Sequence, residues 1–547
     1  MASRSTKTST STAPRESSQR SLPGFLSGID LAPHKTLRIA VSGDVNLNRL
    51  ETRCIDTIDF QRLRGIKQLG TVYLVYPTAV HTRFDHSLGV LAMADRMIRV
   101  IRDNRKAQRD EREISAEQEQ LIRLYALLHD ITHVPFGHTI EDEFRIFPRH
   151  DENHERIERF LGEGSEVGGI LLEGLGHDLY QRLMTLFRAG AGVPEALDAI
   201  DDDYFILDII TNTVCADLLD YLRRDAYFCS ISLDSDYRFL RHLAIRTHEG
   251  RRRMVIKLWK EGKSTPRRDV LNELIRLLDN RYLMSERAYF HHTKIVTGAM
   301  LAGAVSRASI AGELTADDLC EMGDDVLLWR LGQSKLPEVR KLVENLGSRR
   351  LWKQVYMRDR GEIRAEQQST RDRDVLDEIM RTYHTDMGGR TALEDRIGGL
   401  LEMDPGDLIL HCAHHRMAMK SAEILVFWNG ALRPLKDCAD DALVGSKLES
   451  ILESHQNLWA IRAFVNPDFQ GKRDALAGAC DYLFCYEAAR KRRFAGFFYG
   501  SVIDKLSREK GLSVSEHEAH VHKSVERLLA VPEQDRTLER AKAIVAG

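Results

Sequence analysis

Within ten residues, His129-Asp130-Ile131-Thr132-His133-Val134-Pro135-Phe136-Gly137-His138, the chain places three histidines and an aspartate. A histidine and an aspartate side by side offer one neutral nitrogen and one anionic oxygen to a single cation. That mixed donor set suits Fe, Mn or a similar divalent ion better than an all-thiolate zinc site. Two ligands cannot close a site, so others must arrive from elsewhere. His86, at a helix start in His81-Thr82-Arg83-Phe84-Asp85-His86, is one candidate. Asp217 is the other, with Asp220, Tyr221 and Arg224 on its helical face at i+3, i+4 and i+7. A lone His-Asp dipeptide reads as chance. Ionisable groups this dense beside an apolar helix are costly to bury without a charge partner, and a metal supplies one.

Such a site needs rigid elements to aim it. Val90, Met93, Met97 and Ile101 recur at helical spacing. Ser115 and Gln118 form a capping box ahead of Leu121, Leu124, Tyr125 and Leu128, predicting a helix that runs into His129-Asp130. Further helices are expected over about 205–225 and 281–306. Leu37 to Val41, a Ser42-Gly43-Asp44 turn and Val45 onward predict a short β-hairpin. Residues 1–24, rich in Ser, Thr and Arg, read as a disordered tail. The expected fold is mainly α over 36–310. A mixed α+β region over 311–547, including a strand-like run from Ala422 to Trp428, is expected to pack on it.

With 79 basic against 82 acidic side chains, a net charge of −3 gives no global pull toward nucleic acid or anionic membrane. The runs Arg251-Arg252-Arg253 and Lys491-Arg492-Arg493 read as solvated faces. No apolar run has membrane-spanning length, and no apolar core of a secretory signal is seen. Eight cysteines without CxxC pairs read as reduced thiols of a cytoplasmic protein. His411, Cys412, His414 and His415 fit no zinc spacing and read as incidental, as His150 reads as a surface group.

Several blocks in order carry a family resemblance. They are Ile55-Asp56-Thr57, Phe60 to Arg64, Ile66-Lys67-Gln68-Leu69-Gly70, Tyr76-Pro77, Arg83 to Gly89, the His-Asp block, Asp217 to Asp225, and Arg287 to His292. Together they resemble the HD superfamily and, within it, the deoxynucleoside triphosphate triphosphohydrolases. The resemblance implies an HD-domain helical core with His86, His129, Asp130 and Asp217 as ligands of a divalent metal (Fe, Mn, Mg or Zn). It implies phosphate contacts for Arg83 and His133, acid–base roles for His138 and His154, and Glu141 as the carboxylate orienting His138. Gln68, Leu69, Tyr221 and Asp225 match positions around the sugar. Arg281 and Tyr289 match positions along the triphosphate and base, though Tyr221 and Tyr289 read equally well as core aromatics. His81 reads as a hydrogen-bonded residue at the helix start.

The implied reaction turns a dNTP into deoxynucleoside and triphosphate; an HD-type nuclease or phosphodiesterase is the alternative, with nucleic acid the less favoured partner. A catalytically inactive nucleotide sensor is opposed by the full ligand set. Asp56, Gln61 and Arg64 match residues that bind an activating nucleotide in regulated, oligomeric members, so a homo-oligomer is expected. Two features depart from the pattern. Leu218 stands where a lysine reaches the terminal phosphate, and Val41-Ser42-Gly43-Asp44 replaces the usual Asp-Pro-Ile-His-Gly run.

Overall fold

The computed structural model describes residues 29–547 except 109–112, 150, 235, 260–265, 370–373, 414–421 and 439–441. The predicted tail, His150, His414 and His415 lie outside the described residues. As expected, the chain is mainly helical with a small N-terminal hairpin.

The hairpin pairs β1 (Lys35–Ile39) with β2 (Gly43–Leu47), Ile39 opposite Gly43. Its turn therefore falls on Ala40, Val41 and Ser42, two residues before the expected place. Val41 at φ 73° and Gly43 at φ 77° supply the left-handed conformations that a short loop needs. Cross-strand bonds from Thr36 to Asn46 (2.8 Å) and from Arg38 to Asp44 (3.2 Å) hold this register.

Two long helices carry the His86 and His129 ends of the site. Thr82 and Asp85 cap the Arg83–Gln108 helix, the Asp85 carboxylate accepting from the Thr82 amide (3.0 Å) and hydroxyl (2.9 Å). The Ala116–Leu128 helix opens on the predicted Ser115–Gln118 capping box, with His129 as its C-cap. Leu121, Leu124, Tyr125 and Leu128 are buried, as their spacing predicts.

The expected 205–225 helix is two helices, Tyr204–Thr211 and Ala216–Phe228. Asn212 divides them, turning its side chain back to Asp208 (2.7 Å) and accepting from the Thr213 amide (2.6 Å). Apolar spacing continues across the break, so periodicity could not reveal it. The break matters because it puts Asp217 in a first helical turn, where the helix dipole favours a carboxylate. The expected 281–306 helix divides likewise into Arg268–Met284, a wide π-type turn at Ser285–Tyr289, and His292–Ile310.

Within the mainly helical stretch expected over 36–310, residues 243–257 form a hairpin of β3 (Leu243–His248) and β4 (Arg251–Lys257). β4 pairs in parallel with β7 (Leu425–Trp428), which pairs with β8 (Ala431–Pro434). A sheet thus joins chain on both sides of residue 310. The Arg251–Arg253 run is not a solvated face. Arg251 pairs with Asp198 and Asp201, Arg253 with Asp208, and Arg252 is buried.

A second sheet, β5 (Lys353–Asp359), β9 (Ala460–Val465) and β6 (Leu408–Cys412), is antiparallel. Leu408, Leu410, Ile461, Ala463 and Val465 on one face pack with the C-terminal helices. Ile409 and Phe464 on the other face join a core with Phe144 and the His292–Ile310 helix. That second face brings the C-terminal region against the turn following His138.

Candidate metal centre and its pocket

Three elements meet at the end of the Ala116–Leu128 helix. Ligand-capable atoms of His86, His129 and Asp130 lie within 4.8 Å of one another. Asp217 Oδ1 stands 3.1 Å from His86 Nε2 and 4.0 Å from His129 Nε2. The four residues proposed as ligands from sequence are therefore neighbours in space.

Each is aimed by a further group. His129 Nδ1 meets the Ala126 carbonyl at 2.8 Å, which leaves Nε2 without a hydrogen bond and buried. His86 Nδ1 lies 3.0 Å from Asp220 Oδ2, and Arg224 holds both Asp220 oxygens at 2.8 Å. Asp130 accepts from Arg83 at 2.7 Å. Burial opposes a charge on Asp130, yet Arg83, His129 and His133 hold its carboxyl well below the usual range. Burial would likewise depress His86, but hydrogen bonds to Asp217 and Asp220 push it up to about 10. Arg83 is committed to Asp130 and Arg224 to Asp220, so among the described residues Asp217 has no lysine or arginine partner. Converging carboxylates, an unpartnered imidazole nitrogen and a shortage of positive charge fit a divalent cation held by nitrogen and oxygen.

Asp220 was legible only as a residue sharing the Asp217 face; its hold on His86 is a tertiary fact. Gly89, in the same motif as His86, is explained by it. A β-carbon there would collide with the Asp220 carboxylate and the Arg224 guanidinium. We expect Gly89→Ala to lower metal affinity about 10- to 100-fold, the usual cost of disturbing a group behind a ligand. Metal titration would check this; unchanged affinity would remove Asp220 from the design.

A second constellation adjoins the first. His133 is fully buried, with Nε2 3.3 Å from Asp130 and Nδ1 3.2 Å from Glu141. Arg156 caps the other Glu141 oxygen at 2.5 Å. The sequence reading gave Glu141 to His138, but the carboxylate that meets His138 Nδ1, at 2.7 Å, is Asp142. Asp142 stands at i+4 from His138, an ordinary helical neighbour, while Glu141 at i+3 is held by His133 and Arg156. His154 is half exposed at the start of the His154–Leu161 helix, 3.7 Å from Glu158, and is not among the residues lining the pocket.

Of the metal-ligand cluster, His129, Asp130 and Asp217 lie in the wall of a cavity of about 730 Å³ that also contains Gln68, Leu69, Tyr221, Asp225, Arg281, Ser285 and Tyr289. Tyr289 donates to Asp225 Oδ2 (2.7 Å), and His81 meets the other Asp225 oxygen at 2.8 Å while stacking on Phe228. His81 thus does more than start a helix: it fixes Asp225. Burial pushes the Tyr221 and Tyr289 hydroxyls up, so both remain neutral donors. Asp56, Gln61 and Arg64 lie outside this cavity. Asp56 pairs with Lys35 at 3.5 Å, Gln61 accepts from Arg64 at 2.8 Å, and Arg64 covers the Phe84 ring.

Residues 83–170 match the HD domain model and residues 275–477 the HD associated region. The chain is 28% identical over 418 residues to the deoxynucleoside triphosphate triphosphohydrolase SAMHD1 of Danio rerio, covering 70% of this chain and 65% of that protein. It is 31% identical over 327 residues to an uncharacterised protein of Methanocaldococcus jannaschii, covering 59% of each. The chain thus spans about three-fifths of these relatives' length. A crystal structure of a hypothetical protein from Aquifex aeolicus shares the fold, with a TM-score of 0.56 and 24% identity over 80% of this chain and 98% of that one.

Proposed function

We propose that this chain, which carries an HD domain and an HD-associated region, is a metal-dependent phosphohydrolase that converts a dNTP and water into deoxynucleoside and triphosphate. One observation carries the reading: His129, Asp130 and Asp217, with His86 packed behind them, converge in the wall of the same cavity that holds Gln68, Tyr221, Asp225, Arg281 and Tyr289. The similarity to a triphosphohydrolase supports the substrate class.

The four residues would hold the metal, which when bound supplies Lewis acidity and makes water acidic enough to react at neutral pH. Arg83, in the cavity wall beside Asp130, offsets charge on the α-phosphate oxygens, while His133, buried between Asp130 and Glu141, holds Asp130 in place. As water oxygen bonds to the α-phosphorus, the bond to the 5′ oxygen breaks and that oxygen needs a proton. His138 can give it, because Asp142 on Nδ1 leaves Nε2 for the leaving group and steadies the charged ring. Asp225, fixed by His81 and Tyr289, can accept from a sugar hydroxyl. Arg281, on the same wall, is placed for the phosphate chain in the absence of a lysine at Leu218.

Gln68 and Tyr289 inside the cavity favour a single nucleotide over a nucleic-acid strand. The test is to incubate the protein with Mn, Mg or Fe and each dNTP and NTP, singly and mixed. Deoxynucleoside and triphosphate are expected, with nucleic acids left intact. Release of monophosphates from DNA or RNA, without triphosphate, would establish the nuclease reading instead. We further propose a homo-oligomer with Asp56, Gln61 and Arg64 as the activator site. Light scattering with nucleotide, and loss of any activation in Arg64→Ala, test it.

A further inference from the structure

Buried basic groups collect behind the turn that carries His138. His411 on β6 lies directly opposite Arg462 on β9, so both side chains project from the sheet face that also bears Ile409 and Phe464. That face meets Phe144, whose ring centroid is 5.0 Å from that of His411. Lys294, Arg390 and His384 also act electrostatically on His411, and Arg145 acts on His384. Lys294 and Arg145 belong at the same time to the wall of the catalytic cavity.

The charges here do not balance. Lys294 is paired with Glu143, and Arg390 faces Glu394. Arg462, partly exposed on β9, forms no ion pair or hydrogen bond among the described residues, and desolvation lowers its guanidinium to about 10. His411 is 3% exposed, and its Nδ1 has no hydrogen-bond partner. Arg145 is exposed at the rim, in a left-handed backbone conformation (φ 45°) that turns it out of the preceding π-type turn. A guanidinium even partly withdrawn from water is costly without an anion, and the unsatisfied, buried imidazole nitrogen on the paired strand adds to the cost. The fork of an arginine matches the tetrahedral oxygens of a phosphate.

We propose that Arg462 and His411, with Arg390 and Arg145, form a second anion site that takes a phosphate group, separate from the metal centre and packed against the turn bearing His138 and Asp142. The phosphate could come from free orthophosphate, from triphosphate or from the phosphates of a nucleotide. Occupancy would add a bridge between the C-terminal sheet and the 139–145 turn, so an anion bound here would tune the position of His138. Binding at this site does not depend on the proposed reaction.

The test uses the full chain in a chelator, so that no metal recruits phosphate, and probes it with orthophosphate, triphosphate and dAMP. Calorimetry and thermal melting are read for wild type, Arg462→Met, Arg462→Lys and Arg83→Met. Wild type should bind at least one probe and melt higher with it. Arg462→Met should weaken binding tenfold or more, yet melt no lower than wild type without probe, because Arg462 has no ion pair or hydrogen bond among the described residues to lose. Arg462→Lys should bind with intermediate strength, and Arg83→Met should bind as wild type does. The probe that binds most tightly identifies the source. No binding to wild type, or binding lost with Arg83 and kept without Arg462, would overturn the proposal. If Arg462→Met fails to fold, the Arg462→Lys and Arg83→Met arms decide alone.

Discussion

Replacing Asp130 with alanine is expected to remove bound transition metal and all measurable hydrolysis. Asp130 is buried, and its two oxygens face Arg83 at 2.7 Å, His133 at 3.3 Å and His129 at 3.4 Å. Arg83 and the two histidines keep it charged against the desolvation that would neutralise it. The same carboxylate therefore serves as ligand and as the partner of Arg83. Truncation removes both roles, and leaving Arg83 buried without its counter-charge should cost about 3–5 kcal/mol of stability. Asp130→Asn separates the effects: it keeps the shape and one acceptor for Arg83, so the fold should survive while metal is lost. His129→Ala should lose metal similarly with a smaller stability cost, since its Nε2 has no hydrogen bond to lose. Elemental analysis, melting and product release measure the three consequences. Full metal content with intact turnover in Asp130→Ala would refute the site.

His138→Ala should keep its metal and lose turnover on the order of a hundredfold or more, the usual size of a general-acid contribution. His138 belongs to the cavity wall without lying in the ligand cluster, so metal content and activity should part company here as they do not at Asp130. Its partner provides an internal control. Asp142 Oδ2 holds Nδ1 at 2.7 Å, so Asp142→Asn should slow turnover in the same direction by less. The double variant should be no worse than His138→Ala alone, since the carboxylate acts through the ring. His154→Ala is expected to change little, its ring being half exposed, beside Glu158 and outside the cavity. Normal turnover in His138→Ala with a collapse in His154→Ala would reverse the two roles.

The grouping of the four candidate ligands was legible because metal chemistry restricts residue type, and the His-Asp block stands at the end of a helix whose capping box and apolar spacing are local signals. The mainly helical fold and the hairpin were legible for the same reason: periodicity and capping are written in neighbouring residues. Which groups aim the ligands was decided only in three dimensions. Asp220 on His86 and the Ala126 carbonyl on His129 leave nothing in sequence beyond proximity to a motif. The exchange of Glu141 for Asp142 beneath His138 follows from Glu141 being held by His133 and Arg156, partners that local spacing does not reveal. The breaks at Asn212 and His291 escaped because the hydrophobic pattern runs on across them, while side-chain capping stops the helix. The parallel pairing of β4 with β7, and the meeting of His411 with Arg462, join residues far apart in the chain. Local spacing determined which residues could do chemistry here. Long-range packing decided which of them face one another, because strand pairing and helix docking are selected by the burial of whole faces.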